Sequence, residues 1–153
     1  MTLTITTLTL AALHAHACEA YPDECCGLVI ERNAGQEVVR VTNIQNELHA
    51  KEPEQFPRSA QIAYPMGPDA VPVLLAAERG ELTLRAFYHS HPDHDAYFSA
   101  EDRTQALGGW DEPNYPHALQ IVISVRNGQV CATKAFAWDP AARDFVEVEL
   151  VVQ

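Results

Sequence analysis

Two histidines and a downstream carboxylate constrain this chain more than any other feature. His89 and His91 are two residues apart, so on an extended segment both point to the same face. Asp102 follows after ten further residues and can return to complete a three-ligand metal site. Three protein ligands leave one tetrahedral position for water, whereas a structural zinc usually takes four protein ligands. The pattern therefore predicts a zinc centre at which hydrolysis takes place.

Each part of this pattern also has an ordinary explanation. His89 and His91 alone could be unremarkable strand histidines, because a short motif is only a hypothesis. Ser99 and Asp102 have the spacing of a helix start, with Ser99 as the N-cap and Asp102 at the third helical position, close to a capping box. Capping and metal binding are compatible, since a fixed helix start directs Asp102 back towards the histidines.

The complete string resembles the signature of the JAMM (MPN+) metallopeptidases. Residues 89–92 read His-Ser-His-Pro, and after six more residues 99–102 read Ser-Ala-Glu-Asp, without departure from that signature. Residues 24–28, Glu-Cys-Cys-Gly-Leu, are similar to the segment that carries the catalytic glutamate of that family. The resemblance extends from Leu10 to about Val125.

The resemblance implies a role for each residue of the site. His89, His91 and Asp102 would bind one Zn²⁺ per chain together with a catalytic water, Glu24 would be the general base, and Ser99 would stabilise the oxyanion. These roles are chemically consistent, because zinc lowers the pKa of bound water to about 7 and a carboxylate must then accept its proton. Without the resemblance, the ordinary explanation of Glu24 is a solvated charge near a strand start.

Composition indicates one globular domain over residues 1–153. The chain is 47% hydrophobic and 20% charged, which is ordinary for a soluble protein long enough to bury its own core. Its formal net charge of −11 and only ten Lys and Arg residues argue against nucleic-acid binding. An acidic surface suits either a basic protein partner or simple solubility.

The sequence predicts a cytoplasmic protein that is not associated with a membrane. Its first residues lack the basic start and apolar run of a secretory signal, and no stretch approaches the roughly 20 apolar residues of a membrane span. The four cysteines form no C-x-x-C pair and fit reduced, partly buried thiols. Cys25 and Cys26 would face opposite ways on a strand.

Hydrophobic periodicity predicts an α/β architecture with a mixed, curved β-sheet flanked by helices. The resemblance adds a single-domain, three-layer, cytidine-deaminase-like arrangement. His14 and His16 are predicted at the surface, because residues two apart do not share a helical face. The predicted helices are 9–20, 69–78 and 99–107; the predicted strands are 27–31, 37–42, 82–90, 118–125, 130–138 and 146–150; residues 47–57 are predicted to be irregular.

Two groups of residues near the predicted site keep alternative interpretations. Asp93, His94 and Asp95 lie in the loop after the histidines and could compete as ligands, although the signature and the cap both select Asp102. Trp110 and Tyr115 follow the last predicted helix. They either line a groove for an extended peptide tail or pack as satellite core aromatics.

The spacing of the ligands excludes two other zinc chemistries. A zincin needs His-Glu-x-x-His, and a nucleobase deaminase needs His-x-Glu followed by Pro-Cys-x-x-Cys; both are absent. The resemblance implies an isopeptidase or peptidase that cleaves after the C-terminal glycines of a ubiquitin-like or sulfur-carrier protein, with E1-like or E2-like enzymes as further partners. The alternative is a non-enzymatic binding module that holds such a tail or a partner from the conjugation machinery.

Overall fold

The computed structural model describes residues 1–55 and 66–153. In chain order the elements are β1 (Thr2–Ile5), α1 (Thr7–Ala20), β2 (Cys26–Arg32), β3 (Gly35–Val41), α2 (Gln45–Lys51), a 3₁₀ turn (Pro68–Ala70), α3 (Val71–Glu78), β4 (Thr83–Pro92), α4 (Ala100–Leu107), β5 (Leu119–Arg126), β6 (Gln129–Asp139) and β7 (Asp144–Val152). None of the helices in this part of the chain is long and apolar enough to cross a membrane.

Within the described residues the strands form one mixed sheet of seven strands in the order β1-β7-β6-β5-β4-β2-β3. The β1–β7 and β4–β5 pairs are parallel, and the remaining neighbours are antiparallel. The predicted α/β class with a mixed sheet flanked by helices is therefore confirmed.

The sheet is so strongly curved that a side chain of one edge strand, β3, forms hydrogen bonds with the chain at the other edge, β1. Gln36 on β3 donates from Nε2 to the carbonyl of Thr4 on β1 over 3.0 Å. Its Oε1 accepts the backbone N–H of Thr6, also over 3.0 Å. These bonds join opposite edges of the sheet, so the curvature is that of a half-barrel.

Helix α1 fills the concave side of this half-barrel. Leu13 and Ala17 are buried there against residues from five strands. Burial of each large aliphatic side chain contributes roughly 1.5–3 kcal/mol, so this core is a main source of stability. The strand residues of this core are Leu3, Ile5, Val29, Ala86, Tyr88, Leu119, Ile121, Ile123, Val125, Ala135 and Ala137.

A second core lies on the opposite face of β2. Cys26, Leu28 and Ile30 are fully buried there. Val73 and Leu74 of α3 pack against this cluster. Cys25 belongs to the first core and Cys26 to the second, which confirms that these neighbours face opposite sides.

Two assignments along the chain need correction. Residues Thr2–Ile5 form a strand that the sequence analysis did not assign. Part of the segment predicted to be irregular is helix α2, with Glu47 in its first turn and Lys51 in its last, charges that match the helix dipole. Positions 56 and 57 of that predicted segment lie outside the described residues.

His14 and His16 are half-buried rather than at the surface. His14 Nε2 lies 2.8 Å from Thr133 Oγ1, and His16 Nδ1 lies 2.6 Å from the hydroxyl of Tyr88. The prediction failed because a curved sheet surrounds α1 and covers a wider arc of the helix than a flat one would.

Replacing Gly27 with Ala should destabilise the fold. A Cβ at this position would lie 2.4 Å from the carbonyl oxygen of Val39 and 2.5 Å from the ring of Tyr88. Both neighbours are fixed in the sheet, so we expect a loss of about 1–3 kcal/mol in the free energy of unfolding, measured by chemical denaturation. Gly35→Ala is the control, because its Cβ would have an ordinary 3.6 Å contact. Equal stability of the two variants would contradict this packing.

Candidate metal centre

His89 and His91 lie near the end of β4, in the middle of the sheet. β4 pairs with β2 on one side and β5 on the other, so that His89 is opposite both Cys26 and Val122. The imidazoles share one face of the strand and are almost inaccessible to solvent, with 0% of His89 and 5% of His91 exposed. Both histidines are therefore buried side chains on one face of the strand, as their two-residue spacing predicts.

Asp102 reaches the histidines from the first turn of α4. Ser99 Oγ accepts the N–H of Asp102 over 3.0 Å, and Asp102 Oδ2 accepts the N–H of Ser99 over 3.0 Å. This reciprocal pair is the predicted capping box. The same Oδ2 atom is 3.1 Å from His89 Nε2 and 3.1 Å from His91 Nε2. One oxygen of Asp102 therefore belongs both to the capping box and to the group of side chains formed by His89, His91 and Asp102.

The three donor atoms form a nearly equilateral triangle. Its third side, between the two Nε2 atoms, is 3.2 Å. Ligands at bond lengths of about 2.0–2.1 Å around a tetrahedral zinc are separated by about 3.3 Å. Two imidazole nitrogens and one carboxylate oxygen are also a donor set that zinc accepts. His89, His91 and Asp102 therefore fit a zinc ion with one position left for a fourth ligand.

The surroundings favour the protonation states that metal binding requires. Burial raises the pKa of Asp102, but the close contacts of its carboxylate with His89 and His91 outweigh burial and hold the pKa well below its usual value. Burial lowers the pKa of His89, against the opposing effect of Asp102. An ionised carboxylate and neutral imidazoles are the forms that bind a divalent cation.

The loop after the histidines orients His91. Its Nδ1 lies 2.8 Å from the backbone carbonyl of Asp95, an acceptor, so Nδ1 carries the hydrogen and Nε2 is left to bind metal. Arg126 holds this loop through a 2.6 Å bond to the Asp95 carboxylate. The sequence gives no signal for the contact to His91, because any residue could supply the carbonyl.

The competing ligands of this loop lie outside the cluster. The carboxylate of Asp93 accepts the Tyr21 hydroxyl, and that of Asp95 pairs with Arg126. His94 is exposed, and its carbonyl accepts a hydrogen bond from Ser124. The choice of Asp102 over these three residues agrees with the geometry.

Glu24 lies at the end of the β2–β4 pairing. Cys26 is opposite His89, and Ser90 N–H donates to the carbonyl of Cys25 over 3.1 Å. Extending this register by one more residue would place the backbone of Glu24 beside that of His91. Only 7% of Glu24 is exposed, so its interpretation as a solvated charge is wrong.

A small apolar cavity adjoins the same face of β4. Its volume is about 230 Å³, and its walls include Leu74 of α3, Phe87 of β4 and Tyr115. Tyr115 packs against Phe87 and donates to Glu78 over 2.8 Å, whereas Trp110 is 68% exposed. Tyr115 is therefore both a packed aromatic and a wall of the cavity, and the satellite-core interpretation of Trp110 is wrong.

The purified protein should contain about one zinc per chain, and His91→Ala should remove it, because two ligands hold zinc far more weakly than three. The core around α1 does not involve the site, so the variant should keep the circular-dichroism spectrum of a folded protein. His94→Ala is the matched control and should retain its metal.

Elemental analysis after metal-replete purification measures this directly. Wild-type protein without metal would contradict the site. Unfolding of the wild type on removal of zinc would make the site structural.

Several solved structures have a similar fold. Protein DSY2949 from Desulfitobacterium hafniense has a TM-score of 0.69 and 22% identity, covering 100% of this chain and 93% of its own. A protein from Salinibacter ruber has a TM-score of 0.61 and 26% identity, covering 99% of this chain and 91% of its own. A third structure is described as "JAMM: A Metalloprotease-like Zinc Site in the Proteasome and Signalosome". It has a TM-score of 0.54 and 16% identity, and the match covers 100% of this chain and 99% of the other.

No curated protein matches the chain significantly. The family model for prokaryotic homologs of the JAB domain matches residues 7–139. This match covers most of the chain and includes Glu24, both histidines, Ser99 and Asp102. The protein therefore belongs to the family of prokaryotic homologs of the JAB domain.

Proposed function

We propose that the protein is a zinc-dependent isopeptidase or peptidase that cleaves after the C-terminal glycines of a ubiquitin-like or sulfur-carrier protein. The observation that carries this proposal is the triangle of donor atoms from His89, His91 and Asp102, with Glu24 buried just before β2, the strand that pairs with β4. A site built only to bind a peptide tail would need neither the donor triangle nor a buried carboxylate, so catalysis is favoured over the binding-module alternative.

Glu24 is the proposed general base. When bound, zinc supplies a Lewis acid for the substrate carbonyl and lowers the pKa of water. Glu24 accepts a proton from the attacking water and passes it to the leaving amine. Its burial excludes bulk water from the carboxylate, which favours transfer between Glu24 and the reacting groups.

Ser99 is the proposed donor to the oxyanion. A hydroxyl has one hydrogen to donate and two lone pairs to accept with. Ser99 Oγ accepts the N–H of Asp102 through one of them, which leaves its O–H able to donate. That hydrogen would stabilise the negative charge that develops on the carbonyl oxygen of the substrate. The helix cap thus holds the donor in place before the reaction.

The apolar cavity supports an extended tail as the substrate. Phe87 lines the cavity and is two residues before His89 on β4, so the Cα atoms of these two residues are about 7 Å apart and their side chains share one face. A Gly-Gly terminus has no side chains, so it can follow such a narrow path by backbone contacts. Exposed Trp110 next to this region is a candidate contact for the folded body of the carrier.

Glu24→Gln should retain about one zinc per chain but lose most of its turnover. The amide keeps the shape of the side chain but cannot accept the proton, and general base catalysis contributes roughly 10²- to 10⁴-fold. The measurement is kcat on a fusion cleaved after Gly-Gly, with zinc content determined on the same preparation. Glu19→Gln, at an exposed carboxylate on α1, is the control. Near-wild-type turnover of Glu24→Gln would remove Glu24 from the mechanism.

The enzyme should cleave a folded ubiquitin-like fusion far better than a short peptide with the same last residues. The folded body would supply binding energy that stabilises the transition state, so kcat/KM should differ by at least about tenfold. Equal values would indicate a general small-peptide hydrolase. Tight binding of the carrier, without cleavage of any fusion by the zinc-loaded protein, would favour the binding module.

A further inference from the structure

Ser90 lies between the two histidines, and its side chain points to the opposite face of β4. Its Oγ accepts the backbone N–H of Cys25 over 2.8 Å. Its own N–H donates to the carbonyl of Cys25 over 3.1 Å. Ser90 and Cys25 are both almost fully buried, with 1% and 2% of their surfaces exposed. Ser90 thus binds both main-chain polar groups of Cys25, the residue next to Glu24.

The bond to Ser90 Oγ replaces a regular rung of the sheet. In an antiparallel pair two opposed residues exchange N–H···O=C bonds between their main chains. Here the N–H of Cys25 goes to a side-chain hydroxyl instead, and the regular ladder of β2 starts only at Cys26. The hydroxyl therefore extends the attachment of β2 to β4 by one residue, towards Glu24.

Asn43 holds Glu24 from the other side. Its Nδ2 donates to the carbonyl of Glu24 over 2.8 Å. Its Oδ1 accepts the N–H of Gln45 over 3.0 Å, which fixes the orientation of the amide. The backbone of Glu24 is thus tied to β4 through Cys25 and to the segment after β3 through Asn43.

We propose that Ser90 is a positioning residue for Glu24, with Asn43 as its second support. The proposal rests on the proposed function, because it assumes that Glu24 is the general base. A proton acceptor must lie within hydrogen-bond reach of the attacking water, and a shift of about 1 Å costs up to 10²-fold in rate. Ser90 acts through the backbone, so it affects the rate without touching the substrate.

Ser90→Ala tests the proposal, with Ser90→Thr as the conservative variant that keeps the hydroxyl. In the zinc-loaded protein with a Gly-Gly fusion, Ser90→Ala should lower kcat by roughly 10- to 100-fold while KM changes by less than about threefold. Zinc content should stay at about one per chain. Ser90→Thr should restore most of kcat, since threonine is well accepted in strands.

Amide hydrogen exchange provides a readout that is independent of activity. The N–H of Cys25 should exchange at least about tenfold faster in Ser90→Ala than in the wild type, because its acceptor is gone. Ser90→Thr should keep the protection. Ser124→Ala is the matched control, since Ser124 is also buried but bonds to the carbonyl of His94 instead. Protection of Cys25 should survive in that variant.

Three results would overturn the proposal: wild-type kcat in Ser90→Ala, unchanged protection of Cys25, or loss of zinc, which would make Ser90 a support for the ligands. If Ser90→Ala does not fold, Asn43→Ala tests the other hydrogen bond that holds the backbone of Glu24. Asn43 is half-buried and lies outside the β2–β4 pairing, so its loss should disturb the sheet less. It should lower kcat at least about tenfold with zinc retained, and wild-type kcat would count against the proposal.

Failure of the proposed function gives a different result. In that case wild-type protein would cleave no Gly-Gly fusion, while the exchange of Cys25 would still respond to Ser90→Ala.

Discussion

β4 lies between β2 and β5, and its pairing with both strands decides where each group of the site lies. The antiparallel register with β2 sets Cys26 opposite His89, and its extension past Cys25 and Ser90 would place the backbone of Glu24 beside that of His91. The parallel register with β5 sets Ser124 next to His91 and so fixes the start of the loop that orients this imidazole. A slip of one residue would turn both histidines to the face that α1 covers. The sheet therefore sets the positions of both histidines.

Asp102 adds the third ligand through a helix start rather than a strand. Its Oδ2 accepts the N–H of Ser99 and also faces both imidazoles. One carboxylate oxygen thus caps the start of α4 and completes the donor triangle, so the stability of the helix and the affinity for metal depend on the same atom. A change at Asp102 would remove a helix cap worth about 1 kcal/mol as well as a ligand. A substitution at His91 removes a ligand without removing the helix cap, so it separates the effect on metal binding from the effect on stability.

Sequence alone was sufficient for groups whose roles depend on local spacing. His89 and His91 share a strand face because they are two residues apart, and Ser99 caps α4 because Asp102 follows three residues later. Features that depend on contacts between distant segments were missed. The burial of His16 under the curved sheet and the bond from Asn43 to Glu24 have no local sequence signal. Glu24 was selected only through the family resemblance, for the same reason.

The coordination of bound zinc tests the central claim most directly. X-ray absorption at the zinc edge, on protein loaded with one equivalent, reports the type and distance of each donor. The account predicts only nitrogen and oxygen neighbours at about 2.0–2.2 Å, with two imidazoles, one carboxylate and one water. Cys25 and Cys26 lie close to Glu24 in the chain, so a sulfur neighbour at about 2.3 Å is the informative contrary result. Detection of sulfur would contradict the site formed by His89, His91 and Asp102.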